Sequence, residues 1–406
     1  MKKIAVTGIG VISSMGVGRE AFWEGCRRPR SGIKKIESFD TQAFKSNVGG
    51  CVEGFKPGDF MPPMVYRRMS RISRMAVASS IEAIEDSRLV LETIDKERVA
   101  VIMGTSYGSS SHVDAFYLSL LKEGPRGAQP MLFPETVPNA PASHIAIFYK
   151  INGPNSTFCQ NEISAENAMA YAVNLLSNDI VDVAVVGGAE ELSEILYGCY
   201  DAVGALNRIR VREGESIEPV PAGGLILGEG AATLILERTD FAEKRGARIY
   251  GMLKSMVTVG GETVMGHYEK RGEQMASAVR QSLEQADIQN SDIDHISISA
   301  NFSRELDIME HEQLGQLFQK TRQDINVTPL KYLSGDFGAA GATRAAAVLL
   351  SLYHQKSLPF LPINALLPET HPFPAWEIQD TGAIQHALMT STTFGGGSCS
   401  MVFSAA

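Results

Sequence analysis

The sequence predicts an α/β protein made of two similar halves, and three observations carry that prediction. Short apolar runs alternate with longer segments of helical spacing almost throughout, the pattern of sheets covered by helices on both faces. The same pattern restarts after Arg245-Gly246-Ala247, which divides the chain into a first half, residues 1–247, and a second, residues 248–406. The 406 residues are 44% hydrophobic and 20% charged, enough for a large core; at roughly 150 residues per domain the chain holds two or three units.

Taken in order, strands are predicted over Lys3 to Val11, Val99 to Met103, Asn155 to Cys159, Val181 to Val186 and Ala231 to Leu236. In the second half they are predicted over Arg248 to Met256, His295 to Ser299, Asn326 to Pro329, His386 to Thr392 and Ser398 to Ser404. Arg74 to Asp86 and Glu162 to Leu176 carry apolar and small residues at helical spacing. The second of these, with Ile163, Ala168, Met169, Ala172, Val173 and Leu176, is too apolar for a surface helix and is expected to be buried. Loops are rich in glycine and proline, as in Glu123 to Gly127 and Pro219 to Gly224, without a low-complexity linker. The halves are expected to pack together.

Composition excludes several function classes. A net charge of −9 argues against a general binder of nucleic acid or anionic membrane. No run approaches the roughly 18 apolar residues that cross a bilayer, and Thr7, Gly8 and Gly10 interrupt the only stretch that imitates a signal peptide. The five cysteines, Cys26, Cys51, Cys159, Cys199 and Cys399, are odd in number and widely spaced, which suggests neither a disulfide framework nor a zinc site. The expectation is a soluble protein of the reducing cytoplasm. Gly8-Ile9-Gly10 follows a strand, but Ser13 stands where the third glycine of a dinucleotide fingerprint belongs. The eight histidines show no metal-ligand spacing, and there is no GxSxG elbow or Walker loop. No cofactor is expected.

A set of motifs then appears in a fixed order. It runs from Val6-Thr7-Gly8-Ile9-Gly10 through Leu120 to Pro125, Val137-Pro138-Asn139, Gly153-Pro154-Asn155 and Val186 to Glu190. It continues with Gly228-Glu229-Gly230-Ala231, Leu236-Glu237, Gly338-Ala339-Ala340-Gly341 and Phe394-Gly395-Gly396-Gly397. Over nearly the full chain this resembles the β-ketoacyl-ACP synthases of the thiolase fold, the condensing enzymes of fatty-acid and type II polyketide assembly. The resemblance implies a thiolase fold in which two similar α/β halves form a five-layer αβαβα core.

That family's chemistry needs a cysteine thiolate at a helix N-terminus to take up the acyl chain, and two histidines to hold the enolate formed on decarboxylation. By position the resemblance puts Glu162 in place of the nucleophile, Asn301 in place of the first histidine and Asp336 in place of the second. A carboxylate cannot store an acyl chain stably, and an amide cannot carry charge. Asp336 facing a malonyl carboxylate at about 4 Å would repel it by roughly 1 to 4 kcal/mol. The family's lysine is kept as Lys331, with Glu162 and Asp336 as expected partners in a closed polar network. A carboxylate at a helix N-terminus also gains about 0.3 to 1 kcal/mol from the dipole alone, so Glu162 has a purely structural reading too.

The resemblance is to the family's non-catalytic branch, the chain-length factor or ketosynthase β subunit of type II polyketide synthases. It implies a heterodimer with an active ketosynthase α subunit, paired through the strand before Glu162. It also implies an elongation tunnel at that interface, closed by side chains of the inactive subunit. By position the gating candidates are His112, Phe116 and Tyr117, for which ordinary core or interface packing is the competing reading. Arg67, Arg68 and Arg71 with Arg74, together with Arg126, Arg208 and Arg210, form a local basic set suited to a transient acyl carrier protein, or simply to a solvated face. Two other classes compete: an enzyme, either a malonyl decarboxylase or a synthase using Cys159, and a homodimeric scaffold. Alternation along the strand is expected to turn Cys159 into packing.

Overall fold

Ile4-Ala5-Val6 and Ile9 to Ile12 carry hardly any polar side chain, as a strand covered on both faces requires, and Ile4–Ser13 (β1) is buried along its whole length. The computed structural model describes residues 4–28, 31–212, 223–264, 266–318, 325–359, 361–362 and 383–406. Most of the expected loop from Pro219 to Gly224 lies outside them. The first half adds strands Val99–Gly104 (β2), Asn155–Phe158 (β3), Val183–Glu190 (β4) and Gly230–Arg238 (β5). The second contributes Gly251–Val259 (β6), His295–Ser297 (β7), Asn326–Thr328 (β8), His386–Thr392 (β9) and Ser398–Ser404 (β10).

The two halves repeat one topology. Strand order is β3-β2-β4-β5-β1 in the first and β8-β7-β9-β10-β6 in the second. In each, the first three strands are parallel and the remaining pairings antiparallel. Ile4–Val6 pairs antiparallel with Gly251–Leu253, which joins both sheets into one ladder.

Helices fill three of the five layers, and the two half-sheets fill the others. Arg71–Ser87 (α1) and Ala140–Tyr149 (α3) cover the outer face of the first sheet, on either side in sequence of Ser110–Glu123 (α2). Ser164–Ser177 (α4) lies between the sheets and is followed by Glu194–Ala202 (α5). Glu273–Ala286 (α6) and Arg304–Phe318 (α7) cover the second sheet from outside, and Ala340–His354 (α8) shares the middle layer with α4. Helix α8 is short of polar residues because both faces meet a sheet, and Ala340 to Leu352 is buried without interruption; α4, expected to be buried, keeps Tyr171 and Asn174 exposed.

Gly8 and Gly10 have a packing explanation. A Cβ would stand 2.2 Å from the Ala83 carbonyl at the first and 2.0 Å from the Ser79 carbonyl at the second, so α1 approaches β1 closely only because both are glycine. Asp86 and Glu82 of the same helix accept from the Ile9 and Val11 N–H groups at 3.0 and 2.8 Å. At the other end of α1, Ser70 caps the helix, and buried Glu135 accepts from Ser70, from Ser73 and from His144 of α3.

Candidate functional site

The chain leaves β3, turns at Asn161 with φ of +47°, and passes through a single 3₁₀ turn, Asn161–Ile163, before α4 begins. Glu162 therefore sits on the turn ahead of the buried helix, not within it. Its carboxylate accepts from Thr393 Oγ1 and, at 3.3 Å, from the Phe394 N–H. The other oxygen, Oε1, has no hydrogen-bond partner among the described residues. Burial first, and the Asp336 charge second, raise the Glu162 carboxyl above its ordinary range. The dipole benefit expected at this position is thus outweighed by desolvation.

Asn301 follows β7, and Asp336 follows the short helix Lys331–Ser334 at Gly335, whose φ is +78°. Backbone bonds fasten Asp336 on both sides: its N–H donates to the Ile226 carbonyl at 2.8 Å, and its carbonyl accepts from Gly228 at 3.0 Å. Its side chain accepts from Asn301 Nδ2 at 2.6 Å and pairs with Lys331 Nζ at 2.8 Å. Asn301 Nδ2 also donates to the Tyr268 hydroxyl at 2.8 Å, and Lys331 donates to Ser299 Oγ at 3.2 Å. Every one of these side chains is buried. The polar network expected around Lys331 exists, with one correction: Lys331 pairs with Asp336, while Glu162 is held by Thr393 and Phe394.

A second buried layer lies beneath, and sequence reasoning missed it. Arg344 on α8 donates to the Ser297 and Thr390 carbonyls, at 2.7 and 2.5 Å, and to Ser391 Oγ at 2.9 Å. Ser391 in turn donates to Glu166 on α4, so the two middle helices are bridged through one hydroxyl. A Cβ on Gly341 would fall 2.1 Å from the Glu166 carboxyl; only glycine leaves room for that carboxylate. Burial lowers the Arg344 pKa and raises that of Glu166, the latter partly offset by the Arg344 charge. The available signal was a single charge inside each run of small apolar residues.

Space around the site is divided unequally. An inner chamber of about 10 Å³ is lined by Glu162, Glu190 and Asp336 on its polar side and by Leu196, Leu225, Leu227 and Phe337 on its apolar side. An outer mouth of about 830 Å³ is lined by residues that include Asn161, Cys199, His267, Tyr268, Arg304 and Phe394. Glu190 accepts from Thr105 Oγ1 and the Ser106 and Tyr107 N–H groups, yet burial outweighs these donors and moves its carboxyl up to about 7.

The remaining candidates lie away from these spaces. His112, Phe116 and Tyr117 line neither; α2 has no buried residue, His112 meets Ser109 Oγ at 3.1 Å, and Phe116 packs 5.9 Å from the Phe133 ring. Arg67, Arg68, Arg126 and Arg208 are exposed. Arg71 does not join them: it forms a bidentate pair with buried Glu229 at 2.9 and 2.6 Å, because a carboxylate out of water needs a cation. Cys159 also departs from expectation. It falls one residue beyond β3 and is exposed instead of packed, and burial of its sulfur followed by the Glu190 charge raises its thiol. Among the described residues no helix is long and apolar enough to cross a membrane.

Comparisons with known proteins agree with this architecture. The chain is 27% identical over 414 residues to 3-oxoacyl-[acyl-carrier-protein] synthase 2 of Vibrio cholerae, covering 99% of each chain. It is 26% identical over 378 residues to the granaticin polyketide putative beta-ketoacyl synthase 1 of Streptomyces violaceoruber, covering 91% of this chain and 90% of that one. Its fold superposes on the ishigamide ketosynthase/chain length factor with a TM-score of 0.86 at 24% identity, over 100% of this chain and 99% of the other. Residues 1–242 match the beta-ketoacyl synthase N-terminal domain and residues 250–364 the C-terminal domain, so that this chain, with its thiolase fold, belongs to the beta-ketoacyl synthase family.

Proposed function

We propose that this chain is a non-catalytic chain-length factor, which pairs with an active ketosynthase α subunit and sets product length in type II polyketide assembly by shape. The observation that carries this reading is the Lys331–Asp336–Asn301 lock beside Glu162. It stands where condensation needs a thiolate and two imidazoles. An enolate formed there would face a carboxylate and one amide donor already spent on Asp336 and Tyr268.

Two surface features support the pairing. Among the described residues, strand β3 is hydrogen-bonded on one side only, to β2, and an open edge is a ready site for a matching strand of a similar chain. On α2 and the segment after it, Tyr117, Leu118, Leu121, Met131, Phe133 and Val137 are all exposed, more apolar surface than scattered exposure accounts for. His112, Phe116 and Tyr117 would then act against the partner's tunnel, not against a cavity of this chain. Arg67, Arg68, Arg126 and Arg208 are free to meet an acidic acyl carrier protein transiently.

The competing reading is catalytic, an active 3-oxoacyl-ACP synthase, which draws on the name of the Vibrio relative, or a malonyl-ACP decarboxylase, which does not. One experiment decides between them. The purified chain is incubated with malonyl-carrier protein, alone and after co-expression with a ketosynthase that keeps its Cys-His-His set. The expected result is no acylation and no carbon dioxide release by the chain alone, with a 1:1 complex by mass on co-expression. Turnover by the isolated chain overturns the proposal.

A further inference from the structure

The segment that joins α2 to α3, Gly124 to Asn139, is turned inside out. Its apolar side chains Met131, Phe133 and Val137 are 58%, 59% and 40% exposed, whereas Glu135 among them is 1% exposed. Within residues 128–139 no other residue is buried. The backbone makes local turns there, with Leu132 donating to Gln129, Glu135 to Leu132 and Thr136 to Phe133. Glu135 reaches two helices at once. One oxygen accepts from the Ser70 N–H at 3.1 Å, from Ser70 Oγ at 2.5 Å and from Ser73 Oγ at 2.7 Å, all at the N-terminal end of α1, where a negative charge also meets the positive end of the helix dipole. The other oxygen meets His144 Nε2 on α3. Helix α3 is in turn fastened to the open-edged strand, since Asn155 Nδ2 of β3 donates to the Ala142 carbonyl at 3.1 Å.

A segment that had only to fold would bury its apolar side chains and leave its carboxylate in water. Here the carboxylate goes in and finds several donors, which is what a buried charge requires, and the apolar chains stay out. One side chain therefore sets where the apolar segment stands relative to the edge of β3. A surface fixed in advance binds more tightly than one that must be ordered on contact. We propose that Glu135 is a positioning residue, which grips α1 and α3 and so presents Met131, Phe133 and Val137, together with the open edge of β3, as one preformed docking surface for the ketosynthase α chain. The identity of that occupant rests on the pairing reading above; the grip does not.

The test combines limited chymotrypsin digestion of the full chain, with cleavage sites read by mass, and the Kd for a ketosynthase that keeps its Cys-His-His set. Glu135→Ala is expected to be cut after Met131 or Leu132 at least about tenfold faster than the unaltered chain, because cleavage follows the open population, with no faster cutting inside α1 or α3. Its Kd for the ketosynthase is expected to rise about tenfold or more. Glu135→Gln keeps an oxygen for the two serines and is expected to recover part of both effects. If Glu135→Ala does not fold, His144→Leu releases the α3 side of the grip alone, and about a threefold change in the same direction is expected. A folded Glu135→Ala, or in its place His144→Leu, that is cut no faster in the segment overturns the proposal. So does equal loosening of α1 and α3, the mark of a merely structural role, or an unchanged Kd. An unaltered chain that pairs through this face with a second copy of itself overturns the assigned occupant. One that pairs with no ketosynthase sinks the pairing reading, and the digestion still decides the grip.

Discussion

The chamber around Glu162 and the outward face of α2 invert the usual placement of side chains. At the chamber Glu162 and Asp336 are buried, with Lys331 paired to Asp336 and Glu166 and Arg344 in the layer beneath. On α2 and the loop after it, Leu121 is 80% exposed and Phe133 59% exposed. Charge inside is stable only when each group finds a partner, whereas grease outside is stable only when something covers it. The first region finds most of its partners within this chain, Glu162 Oε1 excepted; the second would be covered by the partner proposed above. That difference separates the part of the molecule the chain builds by itself from the part the proposed pairing would complete.

The largest effect belongs to the inner region. Lys331→Met leaves Asp336 buried with only the Asn301 amide, and is expected to cost about 3 to 5 kcal/mol in denaturant unfolding. Adding Asp336→Leu restores most of that loss, since the pair as a whole is worth little more than well-packed apolar side chains. A single variant that unfolds at the normal denaturant concentration would break the comparison.

Next comes a carboxylate whose partners more than suffice. Burial pushes Glu135 up, but donors from His144, Ser70 and Ser73 hold it down at about 2 against an ordinary 4.5. A folded pKa below the unfolded one means stability that is fully present above pH 4.5 and lost as pH falls towards 2. The loss amounts to roughly 3 kcal/mol. Glu135→Gln should flatten that acid limb in a pH series of unfolding curves. Over the same range Glu162, raised instead of lowered, contributes nothing of this sign.

The smallest effect on the chain alone is expected at the outer region. Leu121→Asp should change unfolding by no more than about 0.5 kcal/mol, while abolishing co-purification with a co-expressed ketosynthase. Loss of stability instead would place α2 in the core of the chain and close the contrast.

Much of this was legible in the sequence, and the rest was not for identifiable reasons. Apolar runs marked every long strand because a strand between two helix layers has no polar face, though the ends moved: Val181 was expected to begin a strand that starts at Val183 and continues to Glu190. The convergence of Glu162, Asn301 and Asp336 was legible only through motif order, since these residues lie far apart in the chain. The Glu166–Ser391–Arg344 bridge was not, because helical spacing registers a lone charge as a surface position. Arg71 was read with its basic neighbours because its partner, Glu229, is 158 positions away.

The joint between Ile4–Val6 and Gly251–Leu253 bears on how such a molecule can be taken apart. Repetition of strand order suggests two interchangeable modules, yet each would surrender one wall of the compartment that houses its own middle helix. Severed there, α4 or α8 would present a bare greasy flank to water, and the fragments would clump before they could fold. The duplication visible in the topology is a record of wiring, and the indivisible unit of this protein is the pair.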